Sequence, residues 1–203
     1  RTELQEMSRL SGKNRELAKA LLAKLEQDKA DYLKRMDSFR NSYGTVLRQG
    51  HVLLDTLADD RLNDLMTRSQ QTIESSWTTA GLMRSMQALF DTFSRQAEKI
   101  LNFAGETRNY VDGIYAEFHQ TYGFAKTTPP ALNLERHILR MHALQQSTER
   151  FCKDPVNVMT EKHFLVRRFY SGLVAHAREL FGELRNELDS WIKAALTPLS
   201  AQL

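Results

Sequence analysis

TEKHFLVRRFYSGLVAHARELFGELRNELDSWIKAALTPLSAQL, residues 160–203, is the stretch that decides the fold. Apolar positions recur in it every three or four residues, through Leu165, Phe169, Leu173, Ala177, Leu180, Leu184, Leu188, Trp191 and Ala195. That spacing is one continuous stripe on an α-helix. At 1.5 Å per residue the helix would be on the order of 65 Å long. So long a stripe needs partner helices of similar length, and the rest of the chain is expected to supply them. The predicted fold is therefore all-α: an elongated antiparallel bundle of long helices, four-helix-bundle-like, treated as one domain over residues 1–203.

Working outward, the spacing predicts helices over 2–57, 58–76, 81–122, 134–151 and 160–203. In the first, Leu17, Leu21 and Leu25 open a stripe that Tyr32, Met36, Phe39, Tyr43, Val46, Leu53 and Leu57 continue. Thr2 with Gln5 fits a capping box. Gly44 and Gly50 lie inside this helix and would permit a bend or a close crossing. The second helix turns Leu62, Leu65, Met66 and Ile73 inward. Serines and threonines around Trp77 mark the break before the third. That third helix has the cleanest stripe, from Leu82, Met86, Leu89 and Phe93 to Val111, Ile114 and Phe118.

Gly123 then stands where a helix-terminating glycine belongs, with Phe124 placed to fold back onto the last turn. AKTTPPALN, residues 125–133, is the one clear loop, because Pro129 and Pro130 cannot continue a helix. The shorter helix 134–151 turns Ile138, Met141, Leu144 and Phe151 inward. Asp154–Pro155 reads as a cap and first residue of a single turn. Thr160 is expected to cap the final helix, and Pro198 to kink it or end its regular hydrogen bonding near Ala194. Gly123, Phe124, Lys126, Pro129, Pro130 and Pro198 are the candidate hinge or tip residues.

Charge and composition narrow the function classes. Lys plus Arg is 28 against 25 for Asp plus Glu, an excess too small and too spread out to point to nucleic acid. No basic groove with interleaved aromatics is present either. Cys152 is the only cysteine, so no intramolecular disulfide can form, and a reducing compartment is the default. No apolar run approaches the roughly 18 residues of a membrane span. The chain opens on Arg1 and stops at Leu203 without a helix-ending signal, so it is expected to be a piece of a longer protein.

The sequence carries no catalytic signature. It has neither G-x-x-x-x-G-K-[ST] nor G-x-G-x-x-G, the glycine patterns that wrap phosphates in backbone N–H groups. No histidine has a glutamate three residues before it, as a bundle metal site requires, and His137 and His142 diverge by about 140° around a helix. There is no G-x-S-x-G. Neither metal nor cofactor is expected in these residues. The basic residues Arg136, Arg140, Lys162, Arg167 and Arg168 intermix with Glu179, Glu183 and Glu187, as on a solvated or ion-paired face.

Three stretches carry a resemblance: FHQTYGF (118–124), DPVNVMTEKHFLVRRFY (154–170) and WIKAALTPLSAQL (191–203). In order and spacing they resemble the helical region downstream of the GTPase domain in bacterial dynamin-family proteins. The resemblance covers chiefly the C-terminal 90 residues. It implies a neck or trunk bundle, a stalk that links a GTP-hydrolysing head to a membrane-contacting tip and mediates self-assembly. GTP and Mg would belong to the head of the longer protein, and no GTPase residue maps onto this chain. The partners implied are further copies of the chain, its own GTPase head and a peripheral membrane contact, in the cytoplasm or at the inner membrane. Two other classes fit the pattern: a sensory or scaffold four-helix bundle, and a basic coiled coil associated with nucleic acid.

Overall fold

Leu82, Met86, Leu89, Phe93, Ala97, Ile100 and Ala104 follow one another at helical spacing, and each is buried. They lie on α3 (Thr79–Tyr122), the helix around which the bundle packs. The computed structural model describes the backbone of residues 2–203 and the side chains of residues 12–58 and 60–203. The described secondary structure is helical, in the order α1 (Thr2–Thr56), α2 (Asp59–Ser75), α3, α4 (Leu134–Lys153), α5 (Pro155–Met159), α6 (Lys162–Phe169), a π-helical turn (Tyr170–Val174), α7 (Ala175–Ala194) and α8 (Thr197–Ser200). Residues 45–202 form one packed unit and residues 1–44 a second. The Thr2–Gln5 capping box falls outside the described side chains.

Within residues 45–202, contacts along the helices fix their directions. Ser76 and Ser85 face each other across the α2–α3 connection. The Cys152 thiol lies 3.8 Å from the Met83 carbonyl, and a Cβ on Gly105 would meet Leu134 at 4.0 Å, so α4 runs antiparallel to α3. Arg136 pairs with Glu187 and Arg140 with Glu183, so α7 runs antiparallel to α4. Arg178 reaches Asn63, and Lys162 reaches the Ser76 carbonyl, which closes the ring with α2 antiparallel to α6 and α7. The result is an up-down-up-down four-helix bundle with short connections. Phe90, Phe93, Phe169 and Phe181 meet at its centre, with ring centroids 5.4–5.8 Å apart.

The helix boundaries depart from expectation where side chains satisfy free backbone groups. α3 begins at Thr79, not Gly81, because the Thr78 hydroxyl accepts the Gly81 N–H at 3.0 Å. Thr160 does not cap the final helix. Its hydroxyl donates to the Val156 carbonyl and closes α5, and α6 starts behind Glu161. The first arm breaks at Ala58, whose ψ of 135° interrupts the helix; Gly44 and Gly50 stay helical. Gly50 serves as the close crossing instead, since a Cβ there would lie 2.7 Å from Ile192 Cγ2.

The final helix is not uniform. A π-helical turn at Tyr170–Val174 inserts one residue into the α-helical spacing, so Val174 is buried where the regular stripe placed Leu173. Regular hydrogen bonding ends at Ala194, and Pro198 starts the short α8. In α4, Ile138 is substantially exposed, and His137 takes the inward position because Glu187 supplies its polar partner. Leu17, Leu21, Leu25 and Tyr32 of the first stripe are exposed.

Candidate functional site

The six candidate hinge or tip residues sit at the end of the bundle where α3 passes to α4. Gly123 takes φ +70°, the left-handed conformation that lets the Phe124 N–H reach back to the Phe118 carbonyl at 3.3 Å. Phe124 is buried, edge-on to Phe118 with ring centroids 5.3 Å apart. His119 Nδ1 lies 2.8 Å from the Phe124 carbonyl oxygen. The Pro130 carbonyl accepts the Trp191 indole N–H at 2.9 Å. Gln202, beyond Pro198 and α8, accepts the Ala125 N–H at 2.7 Å and donates to the Thr127 hydroxyl at 3.2 Å. Lys126 is exposed, and Pro129, Pro130 and Pro198 are half-buried. The structure thus brings the loop and the segment after Pro198 together and holds both on the bundle.

The opposite end is built differently, and the sequence did not single it out. Ser76 ends α2 and Thr78 caps α3, leaving Trp77 as the one residue between them, fully exposed. The second connection at this end begins with Asp154, whose carboxylate accepts the Val156 N–H at 3.0 Å. Buried Asn157 donates to the Phe151 carbonyl at 2.9 Å and accepts from Arg168 at 3.0 Å. With Asn157 turned in, Val156, Val158 and Met159 turn out; Met159 is 89% exposed. Phe164 lies off the α6 stripe of Leu165 and Phe169 and is also exposed. Lys162 straps the two connections together, its ammonium donating to the Glu74 carbonyl and, at 2.9 Å, to the Ser76 carbonyl.

This end therefore presents a tryptophan, a phenylalanine, a methionine and two valines beside exposed Lys153, Lys162 and Arg167. Such aromatic and aliphatic side chains next to cations suit a surface that is apolar within and anionic at its face. A signal was present in the sequence: Trp77 stands between helices, and Phe164 breaks the helical period. Neither observation alone shows that the two connections share one end, because they are separated by the whole length of α3 and α4.

Between the ends, a polar seam joins α4 to α7. Glu187 accepts from Arg136 at 2.9 Å and from His137 Nε2 at 2.8 Å. Burial pushes the Glu187 carboxyl up, but the His137 hydrogen bond and charge, the Asn133 N–H and Arg136 together hold it below the ordinary carboxylate value. The Glu183 carboxyl is also lowered, first by its hydrogen bonds from Arg140. His137 is 2% exposed and its Nδ1 has no partner.

Burial pushes the Cys152 thiol up to about 11, which keeps it protonated at neutral pH. A groove of 480 Å³ between α2 and the π-helical turn is lined by Asn63, Gln70, Tyr170, Ser171 and Arg178, with Arg178 bound to Asn63 at 3.1 Å. Among the described residues no cluster of three His, Cys, Asp or Glu side chains could hold a metal ion, and no helix is long and apolar enough to cross a membrane. No protein-family model matches the chain, and neither a curated protein nor a solved structure does.

Proposed function

We propose that the chain is a non-catalytic stalk segment of a dynamin-like GTPase, serving self-assembly and carrying motion of a GTPase head to a membrane or partner. One observation carries the reading. The interior of residues 45–202 is filled by packing side chains, while Trp77, Val156, Met159 and Phe164 are displayed at one end. A bundle whose arms are joined by Arg136–Glu187 and Arg140–Glu183 can transmit a displacement along its length. The break at Ala58 and the π-helical turn at Tyr170–Val174 are the points where an arm can bend. The resemblance in residues 118–124, 154–170 and 191–203 supports the dynamin-like assignment; GTP and Mg belong to the head.

The exposed end is the tip in this reading, and an anionic membrane is its contact. Transfer of one such side chain out of water stabilises by about 1.5–3 kcal/mol. Each cation near an anionic surface adds about 1 kcal/mol. The chain should co-sediment with phosphatidylserine-containing vesicles and less with pure phosphatidylcholine, and Trp77 fluorescence should shift to the blue. Trp77→Ser should weaken vesicle binding about tenfold. Equal binding by wild type and Trp77→Ser removes this end from the reading. A gene product with no P-loop anywhere overturns the GTPase assignment.

A further inference from the structure

The sulfur atoms of residues 45–202 divide by exposure. Met66, Met83, Met86 and Met141 are at most 8% exposed, whereas Met159 is 89% exposed. The one thiol, Cys152, is buried, faces the Met83 carbonyl and stays protonated at neutral pH, so it reacts slowly with an oxidant. An oxidant in solution therefore meets the Met159 thioether first. Its neighbours hold Met159 outward. Asn157 is turned inward and hydrogen-bonded to the Phe151 carbonyl and to Arg168, and the Thr160 hydroxyl closes the turn on the Val156 carbonyl at 2.6 Å. Turning α5 to bury Met159 would take Asn157 out of those bonds.

We propose that Met159 is an oxidation site, where a peroxide converts the thioether to a sulfoxide and turns the exposed end of the bundle from apolar to polar. The sulfur lone pair takes one oxygen from hydrogen peroxide, the O–O bond breaks, and the other oxygen leaves as water. Sulfur is oxidised and the peroxide reduced. A sulfoxide reductase reverses the step with thiols: a pair of thiols becomes a disulfide, and the sulfoxide oxygen leaves as water. The sulfoxide is a hydrogen-bond acceptor that prefers water. One added oxygen thus removes one of the apolar side chains that this end displays with Trp77, Val156 and Phe164.

The position suits a reversible change. Met86 lies in the core, where a sulfoxide would disrupt packing, while Met159 can take up oxygen and leave the bundle folded. The consequence for membrane contact rests on the proposed function. The site itself and the loss of apolar character at this end do not, so the two fail separately.

Mild hydrogen peroxide followed by peptide mass mapping should find Met159 oxidised about tenfold faster than Met66, Met83, Met86 or Met141, with an unchanged circular-dichroism spectrum. Retention on a phenyl resin should fall for the oxidised wild type and return after treatment with methionine sulfoxide reductases and dithiothreitol. Peroxide should leave the retention of Met159→Leu unchanged. On phosphatidylserine-containing vesicles the oxidised wild type should bind about tenfold more weakly, and Met159→Leu should bind alike before and after peroxide. A buried methionine oxidised as fast as Met159, equal retention of oxidised and reduced wild type, or vesicle binding that oxidation does not weaken would each overturn the inference. No vesicle binding by the unoxidised chain overturns the membrane contact instead, and mapping and retention then decide the oxidation site.

Discussion

α1 and α3 carry the same kind of stripe and meet opposite fates. On α3, Leu82, Met86, Leu89 and Phe93 are at most 2% exposed. On α1, Leu17, Leu21 and Leu25 follow at four-residue steps and are 60–67% exposed. The period says which face of a helix is apolar; it does not say that the chain itself covers that face. α3 is covered because α2, α4 and α7 surround it. Residues 12–33 of α1 belong to the other unit and are exposed along their length.

The contrast can be broken most strongly at matched core positions. Phe93 packs edge-on to Phe90 at 5.4 Å and against Phe181 at 5.8 Å, so Phe93→Ala should cost about 3–5 kcal/mol in urea unfolding. Leu25→Ala, at a side chain 67% exposed, should change stability by less than about 0.5 kcal/mol. Equal costs would mean that exposure does not separate the two stripes.

A smaller test uses two glycines of the same helix. Gly50→Ala would push a methyl to 2.7 Å from Ile192 Cγ2, an atom fixed to a β-branched carbon that cannot swing clear without a rotamer change. It should destabilise by about 1–3 kcal/mol. Gly12 has nothing within 4 Å of the added methyl, so Gly12→Ala should stabilise its helix by up to about 1 kcal/mol. Thermal melts of both variants would separate a crowded crossing from an open helix.

The smallest effect is in acid. Glu187 titrates below its ordinary value in the folded chain, so its contribution is present above the unfolded carboxylate pKa and is lost as pH falls through the folded one. Stability should therefore drop as pH falls below the ordinary carboxylate range. Glu187→Gln should flatten that drop and cost about 1 kcal/mol at neutral pH, because it leaves buried His137 with a weaker acceptor. A pH profile identical in wild type and Glu187→Gln would detach the seam from the acid response.

Legibility in the sequence followed locality. The α3 stripe, the Gly123 terminus, the Pro129–Pro130 loop and the end of α7 at Ala194 each depend on residues within a turn or two of one another, and each was readable. The π-helical turn was not, because one inserted residue leaves an apolar candidate at both Leu173 and Val174, and only packing selects Val174. His137 in place of Ile138 was hidden for a related reason: its acceptor, Glu187, is 50 residues away. Trp77 and Phe164 looked like interruptions of a period; the Lys162 strap makes them parts of one end.

The sequence by itself determined that the chain is helical, where most of its helices run and which face of each is apolar, since those properties come from backbone geometry and the 3.6-residue period. Only the tertiary structure decided which of those faces are covered, that the loop at 123–133 is held down while Trp77 stands free, and that Glu187 serves a histidine on another helix. Burial and pairing depend on what lies across a gap, and a linear pattern contains no distances between helices.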